Sequence, residues 1–283
     1  MEYLPKEIII HILSYLNFIG LVRMKFVDRF FNSLIKQEPW THVTVKFKYI
    51  PSVYHPQMLY IHDNIKSFIK KHHFHHYNFE KQFIKDDILS CIHGCKTINL
   101  TSCVWISYDG LSKLSINNEL DSIILDHTKI TDDGLSLFKN CKEISLVSCY
   151  LITNSGTSQL INCKKINLSD CYKLTDDSLV TLTNCKYLNL SFCNITDQGI
   201  SVLKNCETLI IDNCFNITGS TFEKLINLKI LSASNCYRIK NRFIINLKKY
   251  QELYLYHCPQ ILNQVIEELK KYVKVFTTNF YTY

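Results

Sequence analysis

Residues 163–184 read CKKINLSDCYKLTDDSLVTLTN, and residues 185–205 follow with CKYLNLSFCNITDQGISVLKN. Superposed, the second run places Cys185 on Cys163, Leu190 on Leu168, Cys193 on Cys171 and Thr196-Asp197 on Thr175-Asp176. A unit of this size cannot bury an apolar face alone. Units repeated at a fixed period bury it against one another, so the pattern predicts a solenoid.

The same frame extends in both directions. An inward apolar position recurs at Leu100, Leu125, Leu146, Leu168, Leu190, Ile211, Ala233 and Leu255, at intervals of 25, 21, 22, 22, 21, 22 and 22 residues. Three residues after each stand Cys103, Thr128, Cys149, Cys171, Cys193, Cys214, Cys236 and Cys258. Stacked strands lie ~4.8 Å apart, so these residues are expected to form a buried ladder. A thiol is small, largely apolar and a weak donor, which suits a turn where a buried carbonyl needs a partner; Thr128 keeps that donor capacity. A second ladder, Cys95, Cys141, Cys163, Cys185 and Cys206, opens the strands. Metal-binding cysteines converge on a point, whereas these run along lines. A reactive thiol needs a cation beside it, and no copy of the repeat holds Lys, Arg or His in a constant place next to Cys.

Behind each strand the sequence turns helical. Thr131, Thr175 and Thr196 precede acids in the order expected of an N-cap and first turn. The pairs Leu111/Leu114, Leu135/Phe138, Leu179/Leu182, Ile200/Leu203, Phe222/Leu225, Ile244/Leu247 and Ile266/Leu269 are spaced to face the sheet. Asn140, Asn162, Asn184, Asn205 and Asn227 follow, placed to close each helix in the left-handed conformation. The unit L-x-x-C-x-x-I-T-D-x-G-L resembles the cysteine-containing leucine-rich repeats found behind F-boxes. The resemblance implies an α/β fold, a right-handed βα solenoid with parallel strands on a concave side and helices outside. Regular repeats would occupy residues 95–271, and a cap strand and tail residues 272–283.

Residues 42–94 read as two degenerate first repeats. Val43, Val45 and Phe47 alternate with polar residues as a strand does, and DNIKSFIKK (63–71) has helical spacing. A second strand at His75-x-Tyr77-x-Phe79 precedes a helix at Asp86–Leu89. The histidines of HHFHHYNF (72–79), with Cys91-x-His93-x-Cys95 nearby, suggest zinc. Neighbouring strand residues point to opposite faces, so His75 and His76 do not reach one ion, and no metal is expected.

Residues 1–41 do not follow the repeat. Ile8, Ile9, Ile12, Leu13 and Leu16 form one helical stripe, and Leu21, Met24, Val27, Phe30, Phe31 and Leu34 form others. Pro5 suits a first helical turn and Pro39 ends the pattern. About 40 residues of helix need a partner or a neighbour to pack on. The order L-P-x-E-I-x-x-x-I-L-S-Y-L, then L-V-R-M-x-x-V-x-x-x-F, then Trp before a strand, resembles an F-box. That resemblance implies docking on a Skp-family adaptor, and through it a cullin-RING ubiquitin ligase, by Leu4, Pro5, Glu7, Ile8, Ile12, Leu13, Leu16, Leu21, Val27, Phe31 and Trp40.

A formal charge of +7 raises the question of nucleic acid. Residues 1–94 carry 12 Lys+Arg against 8 Asp+Glu, and residues 95–283 carry 20 against 17; no basic run concentrates the excess. A phosphate-binding footprint would be clustered, so no nucleic-acid partner is expected. No run reaches the ~18–20 apolar residues of a membrane span. The first residues make a poor signal peptide, which places the 13 cysteines in a reducing compartment as thiols, cytoplasmic with the nucleus as alternative.

Three readings of function follow. The first is a non-catalytic substrate receptor of an SCF-type ligase, monomeric apart from its adaptor, whose arc holds an unidentified protein client. The second is a protein-binding repeat module acting outside a ligase, or as an adaptor-occupying decoy. The third, an enzyme with its own catalytic Cys, would need a separate catalytic domain, whereas repeats run on through the chain; neither catalytic residues nor cofactors are assigned. Among strand positions facing the concave side, the apolar and aromatic ones gather late: Tyr187, Ile210, Ile230, Tyr254 and Tyr256. Tyrosines on a rigid sheet are what binding hot spots look like. These rings either grip a client or lie under the C-terminal tail TTNFYTY (277–283).

Overall fold

Where apolar and polar residues alternate ahead of each cysteine, a short parallel strand forms. The computed structural model describes residues 40–46, 65–67, 69–70, 74–117 and 119–278. The F-box residues Leu4, Pro5, Glu7, Ile8, Ile12, Leu13, Leu16, Leu21, Val27 and Phe31 lie outside the described residues, as do tail residues 279–283. Two units emerge, one up to Thr128 and one from Lys129. In the first, β1 (Trp40–Lys46), β2 (Phe74–Asn78), β3 (Thr97–Asn99) and β4 (Ser122–Ile124) pair in that order, all parallel. Trp40, expected just ahead of a strand, is the first residue of β1 and is paired with Phe74.

In the second unit β5 (Glu143–Ser145), β6 (Lys165–Asn167), β7 (Tyr187–Asn189), β8 (Thr208–Ile210), β9 (Ile230–Ser232), β10 (Glu252–Tyr254) and β11 (Lys274–Phe276) follow one another in parallel. Parallel neighbours consecutive in sequence require a crossover after every strand, which is the connectivity of a solenoid. The inward residues Leu146, Leu168, Leu190, Ile211, Ala233 and Leu255 are all buried. A second buried row, Ile144, Ile166, Leu188, Leu209, Leu231 and Leu253, lies two residues earlier, as period-2 geometry demands.

The return path is shorter than the helices expected. Asp132–Leu135, Asn154–Thr157 and Asp197–Ile200 are single α turns, and Asp176–Leu179 and Phe222–Lys224 are 3-10 turns. The apolar pairs expected to face the sheet are buried all the same. Longer helices do form at Tyr108–Asn117 and at Asn263–Lys270, ahead of β11.

The left-handed residues are not the asparagines that close the helices. Besides Lys81 they are Ser102, His127, Ser148, Asp170, Phe192, Asn213, Asn235 and His257, each immediately before the ladder position, with φ between 52° and 62°. There the chain leaves the sheet in a turn closed by the cysteine N–H on the inward leucine's carbonyl, as from Cys171 to Leu168 (3.2 Å) and Cys193 to Leu190 (3.0 Å). The third residue of such a turn needs positive φ. Asn205 and Asn227 serve otherwise: their amides donate to Thr183 and Lys204 carbonyls one repeat earlier, at 3.1 and 2.8 Å.

The acids of T-D-x-G also have a second role. Thr196 accepts from the Gln198 N–H as an N-cap should, but Thr131 and Thr175 make no side-chain cap bond. Instead a carboxylate or amide reaches forward and binds the threonine of the next repeat through both N–H and hydroxyl. Asp132 holds Thr153 (2.9 and 2.5 Å), Asn154 meets Thr175 (3.0 and 2.7 Å), Asp176 holds Thr196 (2.8 and 2.6 Å) and Asp197 holds Thr218 (2.8 and 2.8 Å). In the first unit Asp86 grips Ser107 likewise. The glycines make room for this strap: a Cβ on Gly110, Gly156 or Gly199 would collide with the Asp86, Asp132 or Asp176 carboxylate.

Gly199→Ala is therefore expected to cost about 1–3 kcal/mol through this collision, measured as a lowered denaturant midpoint. Asp176→Ala costs stability on its own through the lost strap, and Gly199→Ala added to it should cost less than it does in the wild type, because the colliding carboxylate is gone.

Candidate functional site

All thirteen cysteines are buried, and none forms a disulfide. In the first ladder six thiols donate to the inward carbonyl one repeat earlier: Cys103 to Phe79 (3.0 Å), Cys171 to Leu146 (3.1 Å), Cys193 to Leu168 (3.1 Å), Cys214 to Leu190 (3.2 Å), Cys236 to Ile211 (3.1 Å) and Cys258 to Ala233 (3.2 Å). Thr128 turns its hydroxyl to the Leu125 carbonyl of its own repeat. The second ladder bonds to carbonyls around the strand openings, Cys163 to Cys141 (2.8 Å) and Cys185 to Tyr187 (2.9 Å). Burial pushes the thiols up, Cys185, Cys193 and Cys258 to about 11 and Cys95, Cys103, Cys163, Cys206 and Cys236 to about 12. A nucleophile needs the opposite shift. Among the described residues, no three His, Cys, Asp or Glu side chains gather as metal ligands would. His76 meets the Thr97 hydroxyl at 2.7 Å, and the His75 ring stands edge-on to it at 6.4 Å.

The second unit offers the open face of its strands. Register places Tyr187 and Ile230 in one row, separated by Thr208, and Ile210 and Tyr254 in another, separated by Ser232. Four of the five expected contact residues thus alternate with polar ones along their rows, and Tyr256 lies two residues past the end of β10. Lys165 lies over the Tyr187 ring at 5.6 Å. Tyr254 stacks on Phe276 of β11 at 4.5 Å, and its hydroxyl donates to Glu252 at 2.8 Å. That stack covers one face of the Tyr254 ring, while Tyr256 remains exposed. Phe276, which sequence reasoning left in the cap, extends the aromatic end of the face. At the start of the strands ion pairs run across repeats, with Glu207 between Lys186 (3.1 Å) and Lys229 (2.5 Å); both hold its carboxyl below the ordinary value.

A more exposed set of rings lies one residue past the cysteines and was not singled out from sequence: Tyr150, Tyr172, Phe215 and Tyr237. Tyr150 and Tyr172 approach at 5.2 Å, and Phe215 and Tyr237 stack at 5.8 Å with rings 5° from parallel. Their signal in the sequence is the recurring Cys-Tyr or Cys-Phe dipeptide.

Comparison with known proteins agrees with this architecture. A model described as a leucine-rich repeat matches residues 181–204. No curated protein matches the chain. Solved structures of similar fold include a chain of the yeast Rad7 and Elc1 complex, at 13% identity and TM-score 0.50, covering 94% of this chain and 86% of that one. An internalin of Listeria monocytogenes matches at 15% identity and TM-score 0.52, with 76% and 65% covered. The Drosophila Toll–Spatzle complex matches at 15% identity and TM-score 0.55, with 76% and 30% covered. The chain therefore spans less than two-thirds of the internalin and Toll chains, and identities this low establish likeness of fold alone. The fold is a leucine-rich-repeat solenoid. Among the described residues no helix is long and apolar enough to cross a membrane.

The raised thiols give a pH dependence with a definite sign. Below the unfolded-state value of 9.0 both states are protonated and the thiols favour neither. Above it the unfolded chain loses protons that the folded chain keeps, so stability falls with rising pH. The denaturation midpoint in reducing buffer is expected to drop progressively between pH 9.0 and about 12, the folded value of Cys163. A midpoint flat across that interval would contradict the burial of the ladders.

Proposed function

We propose that this chain is the substrate-recognition subunit of an SCF-type ubiquitin ligase, with residues 1–41 binding a Skp-family adaptor and the repeats holding a protein client. One observation carries the reading. The ordered run from Leu4-Pro5-x-Glu7-Ile8 through Ile12-Leu13, Leu16, Leu21, Val27 and Phe31 to Trp40 stands directly ahead of a leucine-rich-repeat solenoid. The repeats support it by their class, a rigid protein-binding module. Adaptor docking would bring the cullin and its ubiquitin-charged enzyme to the same assembly. Tethering then raises the effective concentration of a client lysine near the ubiquitin thioester, so the receptor accelerates transfer by proximity. No residue of the receptor needs to move a proton or form a bond.

On the client side the reading assigns Tyr187, Ile210, Ile230 and Tyr254 of the strands, together with Tyr256. Loss of a buried aromatic anchor typically weakens binding about tenfold or more.

The full tagged chain, co-expressed with a Skp-family adaptor and a cullin, is expected to co-purify with both, and Leu4→Ala with Pro5→Ala to lose both. Tyr254→Ala with Tyr256→Ala should leave the adaptor bound while reducing capture and ubiquitination of a client identified with the wild type. Adaptor without cullin would favour the decoy reading, and no adaptor at all would end both.

A further inference from the structure

Stacking sorts the formal charge of the second unit along its length. Residues 129–196 carry 7 Lys+Arg against 6 Asp+Glu, whereas residues 197–278 carry 11 against 7, an excess of four with every carboxylate counted at full charge. Four of those seven carboxylates sit in ion pairs at the strand starts and the last helix. Glu207 lies between Lys186 and Lys229, Glu268 between Lys248 and Lys271, and Glu252 and Glu267 meet Lys274 and Lys270. The other three bond to neutral groups of the fold: Asp197 to Thr218 and Gly219, Asp212 to Ser232 and Ser234, and Glu223 to Asn246. Against these three stand six cations outside any ion pair among the described residues, namely Lys204, Lys224, Arg238, Lys240, Arg242 and Lys249.

Half of those six fall at one corner. Arg238, Lys240 and Arg242 alternate along YRIKNRF (237–243), where the chain leaves β9 for its return path, and all three are exposed. Stacking puts Asn216, Thr218 and Ser220 on one side of them and Gln260, Leu262 and Gln264 on the other. Three bonds fix that alignment: Arg238 donates to the Asn216 side chain (3.4 Å), the Lys240 N–H to the Thr218 carbonyl (3.3 Å) and the Leu262 N–H to the Asn241 side chain (2.8 Å). None of the six flanking residues is acidic. Asp212 is bonded at Ser234, on the strand side of the cysteine, six residues ahead of Lys240 and eight ahead of Arg242.

The shape of this cluster selects its partner. A nucleic-acid strand running along the stack would leave the cations after a single repeat, whereas a phosphate footprint continues from one phosphate to the next. A compact anionic group fits instead. The guanidinium forks of Arg238 and Arg242 match planar carboxylates, and Arg242 is braced over the Phe243 ring at 4.6 Å. Leu262 and Tyr237, 60 and 49% exposed, add apolar contact that a phosphodiester does not use. The chain's own tail, TTNFYTY (277–283), holds no acid to fill the corner. We propose that Arg238, Lys240 and Arg242 form a docking corner for an acidic cluster on a partner protein, closely spaced Asp or Glu side chains with an apolar neighbour. The proposal rests on the reading of the repeats as a client-binding module and names a chemistry the client carries.

The test measures binding of labelled peptides to the full-length chain by fluorescence anisotropy at low salt. A peptide of repeated Glu-Glu-Leu is expected to bind, more weakly as salt is added, and its Gln-Gln-Leu counterpart not to bind. Arg238→Gln, Lys240→Gln and Arg242→Gln together should weaken the acidic peptide about tenfold. Lys139→Gln, Lys164→Gln and Lys173→Gln, an equal loss of charge at exposed positions earlier in the unit, should leave it within about twofold. Leu262→Ser should weaken Glu-Glu-Leu and leave a Glu-Glu-Gly peptide unmoved, a contrast that misfolding cannot produce. Equal weakening by the two triple variants, or no preference for Glu over Gln, would overturn the proposal. So would an oligothymidine that binds as tightly as the acidic peptide and is lost in the corner variant. Adaptor co-purification of the corner variant is read separately, so failure of the docking corner and failure of the receptor reading are different results.

Discussion

A carbonyl buried at the end of an inward strand residue has two lone pairs to satisfy, and this fold satisfies both in the dark. The Leu146 carbonyl accepts from the Cys149 N–H of its own turn and from the Cys171 thiol of the next repeat, each at 3.1 Å. A larger donor would not fit, and an aliphatic side chain would leave one lone pair unfilled in a low-dielectric interior. Stacking, the corner and the buried state of the thiols all depend on this bond. The same bond explains why so many cysteines do no chemistry: burial that makes them good structural donors raises their pKa and holds them neutral.

A second tie runs along the outer side. The forward-reaching Asp or Asn of one repeat engages the threonine of the next through backbone and hydroxyl, and a glycine leaves space for it. The thiol ladder reaches back one repeat and the carboxylate strap reaches forward one. Neighbouring units are thus clamped at two edges, while strand hydrogen bonds join them between. Such a scaffold suits recognition, since side chains on its strands and corners are held at fixed spacing without ordering costs on binding.

Two surfaces of the second unit exploit that spacing. The strand face is mixed, with rings separated by Thr208 and Ser232 and one of them stacked on Phe276. The post-cysteine rings Tyr150, Tyr172, Phe215 and Tyr237 are more exposed.

Much of this was legible from residues 163–205 alone. The period, both cysteine ladders, the inward leucines and the apolar pairs of the return path follow from spacing, because burial on a period of two or of one repeat leaves a pattern in composition. What the sequence could not convey was which partner each polar group chooses. Asp176 reads as a helix-end acid, yet it binds Thr196 in the next repeat. Asn205 reads as a left-handed cap, yet it donates to Thr183, while Ser, His and Phe take up positive φ before the cysteines. Those choices depend on contacts between residues about 20 positions apart, and only stacking brings such groups within hydrogen-bonding range. The sequence by itself determined that the chain is a stack of repeats. The tertiary structure decided how the repeats are tied, and so which rings are left facing solvent.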